Sequence, residues 1–172
     1  MDTDPSTLDF EPYCNNCAAY CCVALAFDEG DMFAYNKDAA EPCKHLGSDH
    51  KCNIHGKLSD SGFRGCVRYN CFGAGQRVTN QLFDGRSWRD HPSEAQEMFD
   101  SFRVVQKVHE HLLMLKAAKN LDLSPAQRAQ IQNFEQALMQ EDVTSLLDVL
   151  AFEHKQVFDD IGVFFTTLQD RF

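Results

Sequence analysis

No cysteine occurs between residue 72 and residue 172. That long stretch can form neither a disulfide nor a thiolate metal site of its own. Apolar runs are also short. None approaches the roughly 18–20 residues that a membrane-crossing helix needs, so no transmembrane segment is expected. There is no N-x-S/T acceptor for N-glycosylation and no P-loop, G-x-S-x-G or H-E-x-x-H motif. The acidic opening Met1-Asp2-Thr3-Asp4-Pro5 lacks the apolar segment of a secretory signal. These absences lead to the expectation of a cytoplasmic protein with no membrane role and no recognisable catalytic motif.

What is present sits at one end. All eight cysteines fall between residues 14 and 71: Cys14, Cys17, Cys21, Cys22, Cys43, Cys52, Cys66 and Cys71. In a reducing compartment, clustered thiols bind metal or do redox chemistry more often than they form disulfides. The adjacent pair Cys21-Cys22 points the same way, because neighbouring cysteines bridge each other only through a strained ring. The opening C-x2-C-x3-C-C supplies a close chelating pair, Cys14 and Cys17, with two more thiols just beyond it. Zinc and iron–sulfur clusters each take about four cysteine ligands. The expected cofactor is therefore an iron–sulfur cluster or zinc. Eight thiols can be divided between two sites in many ways, and one site with spare thiols is also open. In that second case Cys22 and Cys71 are the spares. His45, His50 and His55 are alternative ligands.

Charge falls in three blocks: −8 over residues 1–42, +5 over 43–89 and −7 over 90–172, with −10 overall. An acidic chain repels nucleic acid unless a local patch dominates. The basic middle block is read instead as compensation. A divalent ion with four thiolates still carries about −2, and Lys44, Lys51, Arg64 and Arg68 are placed to offset it. The Cys14–Cys17 pair could also be a thioredoxin-type dithiol, but the strand and βαβ surround that such a motif needs are not evident.

The alanines between Cys14 and Phe27 favour a helix there, with residues 14, 17 and 21 on one face and Cys22 about 100° further round. Residues 36–75 are rich in glycine and other turn formers and need a staple such as metal. From His91-Pro92 the pattern turns helical. A helix over about 93–119 carries a stripe of Met98, Phe102, Val105, His109 and Leu112, and Ser93 with Gln96 can cap it. A second opens at Ser124-Pro125-Ala126-Gln127 and buries Ile131, Phe134 and Leu138. A third begins near 142–145 and runs toward Gln169. Its seam is Leu147, Leu150, His154, Val157, Ile161, Phe164 and Leu168. His109 and His154 are read as core-edge histidines bonded to neighbours. Trp88 and Phe83 sit where they can seat the two halves on each other. The expected fold is mainly α: a loop-rich, metal-stapled cysteine module at 1–90, then an antiparallel three-helix bundle at 91–172.

The cysteine pattern resembles the YkgJ-type cysteine-cluster family, whose CxxCxxCC domain is described as zinc- or iron-chelating. The matching pieces are Cys14-Asn15-Asn16-Cys17-Ala18-Ala19-Tyr20-Cys21-Cys22, Cys43-Lys44-His45-Leu46, Cys52-Asn53-Ile54-His55 and Cys66-Val67-Arg68-Tyr69, within about residues 14–75. The chain departs from that pattern at four points. Three residues rather than two precede Cys21-Cys22, and His55 stands where tyrosine is usual. Gly62-Phe63-Arg64-Gly65 replaces an Arg-Pro, and Cys71 is additional. The resemblance implies metal binding without a settled reaction. Two roles follow as expectations. One is an accessory or redox role for an iron–sulfur centre. The other is a zinc-stabilised, non-catalytic adaptor that meets a protein partner through its helices. No small-molecule substrate is indicated.

Overall fold

A computed structural model describes residues 8–139 and 156–168. The described chain is mainly α-helical. Among the described residues there are six α-helices, and β pairing is confined to two isolated antiparallel bridges, Phe27 with Lys37 and Leu46 with Cys52. The helices are α1 (Tyr20–Val23), α2 (Arg64–Arg68), α3 (Ala74–Arg77), α4 (Ala95–Ala118), α5 (Pro125–Met139) and α6 (Val157–Thr166). A single π turn, Val78–Leu82, extends α3.

The two long helices follow their sequence pattern. On α4, Met98, Phe102, Val105, His109 and Leu112 are buried, and Phe99, Val108 and Leu115 join them. This is the stripe that a 3.6-residue period dictates. Helix α5 begins with a reciprocal cap. The Ser124 N–H donates to Gln127 Oε1 at 2.9 Å, and the Gln127 N–H donates to Ser124 Oγ at 3.3 Å. Two backbone donors that the helix itself leaves unpaired are thereby satisfied. The expected Ser93 cap on α4 does not form. Pro92 sets a 3-10 turn over Pro92–Glu94, α4 starts after it, and Gln96 donates instead to Asp100 one turn on. Helix α4 packs on α5 and α5 on α6, with Phe134 against Phe164 and His111 against Phe158. Of the third expected helix, Leu147, Leu150 and His154 lie outside the described residues. Val157, Ile161, Phe164 and Leu168 fall in or just after α6, with the last three buried.

The cysteine-bearing half shares its core with the helices. Ala18, Tyr20, Val23, Ala74, Val78 and Phe83 belong to the same buried cluster as the α4 stripe. Tyr20 is fully buried and stacks on Phe102 with ring centroids 5.4 Å apart. Trp88 supplies the expected seat. Its indole N–H donates to the Ala18 carbonyl at 2.7 Å, and its ring meets Phe99 edge-on at 6.0 Å.

Candidate metal centre

The segment bearing the first four cysteines is not the helix that its alanines suggest. Cys14–Asn16 form a 3-10 turn, Cys17 is extended, and Ala19 adopts a left-handed φ of 60°. Only then does the short α1 begin. A left-handed non-glycine residue interrupts helical geometry and costs about 1 kcal/mol or more. Burial of Ala18, Tyr20 and Val23 against the helical core offsets this. Cys14, Cys17 and Cys21 therefore do not share a helix face. Cys21 and Cys22 do lie on one helix, and successive residues there diverge by about 100°.

All eight cysteines are free thiols, with no S–S bond among them. Cys21 and Cys22 stand with their sulfurs 3.9 Å apart. Donating its hydrogen toward Cys22 raises the Cys21 thiol well above its ordinary value, and burial adds to the rise. Accepting that hydrogen lowers Cys22, with help from the nearby Lys37 ammonium. Burial pushes Cys17 up to about 11, with Cys71 and Cys14 adding like charge. Cys66, though exposed as a residue, has its thiol pushed up to about 11 by desolvation and by Cys22, Cys43 and Cys52. Cys52 is raised by desolvation and then by Cys22 and Cys43. The thiols are thus near enough to oppose one another's ionisation. They do not close on a point: among the described residues no three His, Cys, Asp or Glu side chains form a ready metal-holding group.

Three non-cysteine residues complete the surroundings. Lys37 is 3% exposed, and its ammonium donates to the carbonyls of Val23 (3.2 Å), Asp38 (3.0 Å) and Glu41 (2.8 Å). All three of its hydrogens are used. Burial lowers its pKa, while Cys43, Glu41 and Cys22 act in the opposite direction. A buried cation beside thiols is what an anionic sulfur site requires. It was invisible in a sequence block holding nine acids and this one lysine. Among the basic residues expected to compensate, Lys51 donates to the Cys14 carbonyl at 2.8 Å, and Lys44 lies over the Tyr35 ring at 4.3 Å. The Tyr35 hydroxyl stands 3.1 Å from the Cys43 sulfur. The Tyr69 hydroxyl is buried without a hydrogen-bond partner. Its ionisation is pushed far up by burial and then by Cys21, Cys71 and Cys17. An unmade hydrogen bond at a buried hydroxyl costs about 1–3 kcal/mol and marks a place for an acceptor.

The alternative histidine ligands stand apart in character. His45 packs its ring on Phe63 at 5.2 Å, His50 sits edge-on to Trp88 at 6.0 Å with its Nε2 buried and unpartnered, and His55 is exposed in a 3-10 turn. His109 is bonded on both nitrogens, to the Phe72 carbonyl and to Arg77. The donor chemistry of the site, thiols with a buried ammonium and an orphaned hydroxyl, fits a thiophilic metal.

No family model matches this chain, and no solved structure matches it. The chain is similar to "Uncharacterized protein YybG" of Bacillus subtilis (strain 168), at 42% identity over 116 residues. The match covers 67% of this chain and 42% of that protein, so the chain spans less than half the length of that relative. No helix among the described residues is long and apolar enough to cross a membrane.

Proposed function

We propose that this protein binds metal, as an iron–sulfur cluster or as zinc, through Cys14, Cys17, Cys21, Cys22, Cys43, Cys52, Cys66 and Cys71. The observation that carries the reading is eight free thiols within one end of the chain, with a buried lysine beside Cys22 and Cys43. Thiols packed this closely repel as they ionise, and a cation among them removes the penalty. The resemblance to the YkgJ-type cysteine-cluster family supports the same conclusion. In this reading residues 1–90 are a metal-stapled module seated on an antiparallel three-helix bundle at 91–172. The protein works in the cytoplasm beside a protein partner, in an accessory or redox capacity. A cluster would supply one-electron chemistry; zinc would supply rigidity alone.

The test is to purify the full chain without oxygen and measure its metal by elemental analysis. A brown sample absorbing near ~400 nm and bleached by dithionite supports the cluster. A colourless sample with stoichiometric zinc supports the zinc-stabilised adaptor acting through its helices. A folded protein that carries neither iron nor zinc, and takes up neither, defeats the proposal.

A further inference from the structure

We infer that the eight cysteines make two separate four-sulfur centres, Cys14, Cys17, Cys21 and Cys71 in one and Cys22, Cys43, Cys52 and Cys66 in the other, divided at the Cys21–Cys22 step of α1. This assignment rests on the metal-binding reading above and goes beyond it, since it selects one partition of the thiols.

Packing separates the two sets. Cys17, Cys21 and Cys71 pack against the buried core that α4 organises, and none of the second set does. The inner set is held together by the turn into α3. The Ala74 N–H donates to the Cys71 carbonyl at 3.0 Å. At the next residue, Gly75, a β-carbon would press directly on the Cys17 sulfur. That sulfur therefore rests on bare backbone one turn past Cys71. Cys14 opens the 3-10 turn leading to Cys17, and Tyr69, whose hydroxyl is buried and unpartnered, packs on the same core as Cys17, Cys21 and Cys71.

The outer set is held by a different chain of contacts. The Cys43 N–H donates to the Cys22 carbonyl at 2.8 Å, and the Leu46 N–H donates to the Cys43 carbonyl at 2.9 Å. Leu46 in turn bridges to Cys52. Phe63, three residues before Cys66, meets Tyr35 and His45 edge-on at 5.4 and 5.2 Å, and the Tyr35 hydroxyl reaches the Cys43 sulfur. The buried Lys37 ammonium binds the carbonyl of Val23, next to Cys22, and belongs to this set.

Stoichiometry agrees with the division. A zinc ion or a cluster takes four thiolates, so eight thiols exceed one centre and match two. Adjacent helical residues differ by about 100° in direction, which lets neighbouring cysteines serve different metals.

The experiment compares Cys21→Ala with Cys22→Ala in the full chain purified without oxygen. Metal content and thiol alkylation mapped by mass spectrometry are the readouts. Each variant is expected to lose about half of the wild-type metal. Cys21→Ala should expose Cys14, Cys17 and Cys71 to alkylation, and Cys22→Ala should expose Cys43, Cys52 and Cys66. Exposure of the same thiols by both variants, or of thiols drawn from both sets by either, overturns the partition. A second arm needs no variant. Cobalt(II) titrated into the reduced, metal-free wild-type chain should give thiolate charge-transfer absorption that saturates at two equivalents. Saturation at one equivalent refutes the partition and leaves the metal reading standing. No uptake of cobalt, with no metal in the isolated protein, refutes the metal reading itself.

Discussion

Protonating one buried histidine should loosen the junction between the cysteine-bearing half and the helices. His109 is 1% exposed on α4. Its Nδ1 lies 2.6 Å from the Phe72 carbonyl, which can only accept, so Nδ1 carries the hydrogen. Its Nε2 lies 2.9 Å from the Arg77 guanidinium, which can only donate, so Nε2 is the acceptor. The neutral ring thus ties α4 to α3 and to the residue after Cys71. Burial lowers its pKa to about 4, and Arg77 adds to the fall, against the opposing bond to Phe72. The unfolded chain has the ordinary histidine value of about 6.5. Between those values the unfolded state binds the proton and the folded state does not, so stability falls as pH falls through that window. A gap of about 2.5 units corresponds to about 3 kcal/mol, about three-quarters of it expressed by about pH 4.5. Glutamine can keep both bonds without titrating. Urea unfolding of wild type and His109→Gln, followed by Trp88 fluorescence and helical circular dichroism, should give a difference in stability that grows by about 2–3 kcal/mol between about pH 7.5 and about pH 4.5. The comparison cancels carboxylates and thiols common to both proteins. Parallel pH profiles would refute the burial and bonding argument.

Further outcomes follow from other contacts. Gly75→Ala places a β-carbon against the Cys17 sulfur and should destabilise the fold by about 1–3 kcal/mol; wild-type melting behaviour with unchanged metal content would show that Cys17 does not rest there. Lys37→Met leaves three carbonyls without their donor and removes the cation beside Cys22 and Cys43. Chemical denaturation should register a loss of about 2–4 kcal/mol, and a chelator should strip metal from the outer set first; uniform metal loss from both sets counts against the placement of that charge. Tyr69→Phe should leave the metal-free protein as stable or slightly more so, because the lost hydroxyl had no partner. It should weaken the loaded form by about 1 kcal/mol if the hydroxyl donates to a ligand sulfur, and equal effects on both forms would exclude that bond. Ser124→Ala removes the α5 cap and should cost about 1 kcal/mol with metal content intact, which thermal unfolding and elemental analysis together can check.

Periodicity made the long helices legible, because burial of one face is what holds a helix in a protein. Met98 through Leu115 and Ser124 through Leu138 lie where the apolar spacing and the Ser-Pro-x-Gln start place them. The ends were less legible. Ser93 is a good cap residue, yet Pro92 imposes a tighter turn first, and α4 starts at Ala95. The Cys14–Phe27 stretch failed for a different reason. Helix propensity is worth only tenths of a kcal/mol per residue. Burying Tyr20 on Phe102 and bonding Ala18 to Trp88 outweigh several alanines, and Ala19 takes the left-handed turn that those contacts demand.

Lys37 shows where sequence reading stops and why. The sequence points to Lys44, Lys51, Arg64 and Arg68 for thiol compensation, because they flank cysteines in the chain. The cation that is buried beside Cys22 and Cys43 comes instead from the acidic block, delivered by the Phe27–Lys37 bridge. Sequence distance governs which residues are counted together, whereas charge interaction depends on distance in space and on desolvation. An exposed lysine next to a cysteine in the chain, as Lys44 is to Cys43, is screened by water. A buried one fifteen residues from Cys22, with every donor fixed by a carbonyl, is screened less and is costly to misplace. The same reasoning separates Cys21 from Cys22. They are neighbours in sequence with sulfurs 3.9 Å apart, yet Cys21 packs on the core shared with α4 while the Cys22 carbonyl is tied to the loop that carries Cys43. Under the proposed division, the doubled cysteine on this short helix is a hinge between two sulfur sites rather than a dense corner of one.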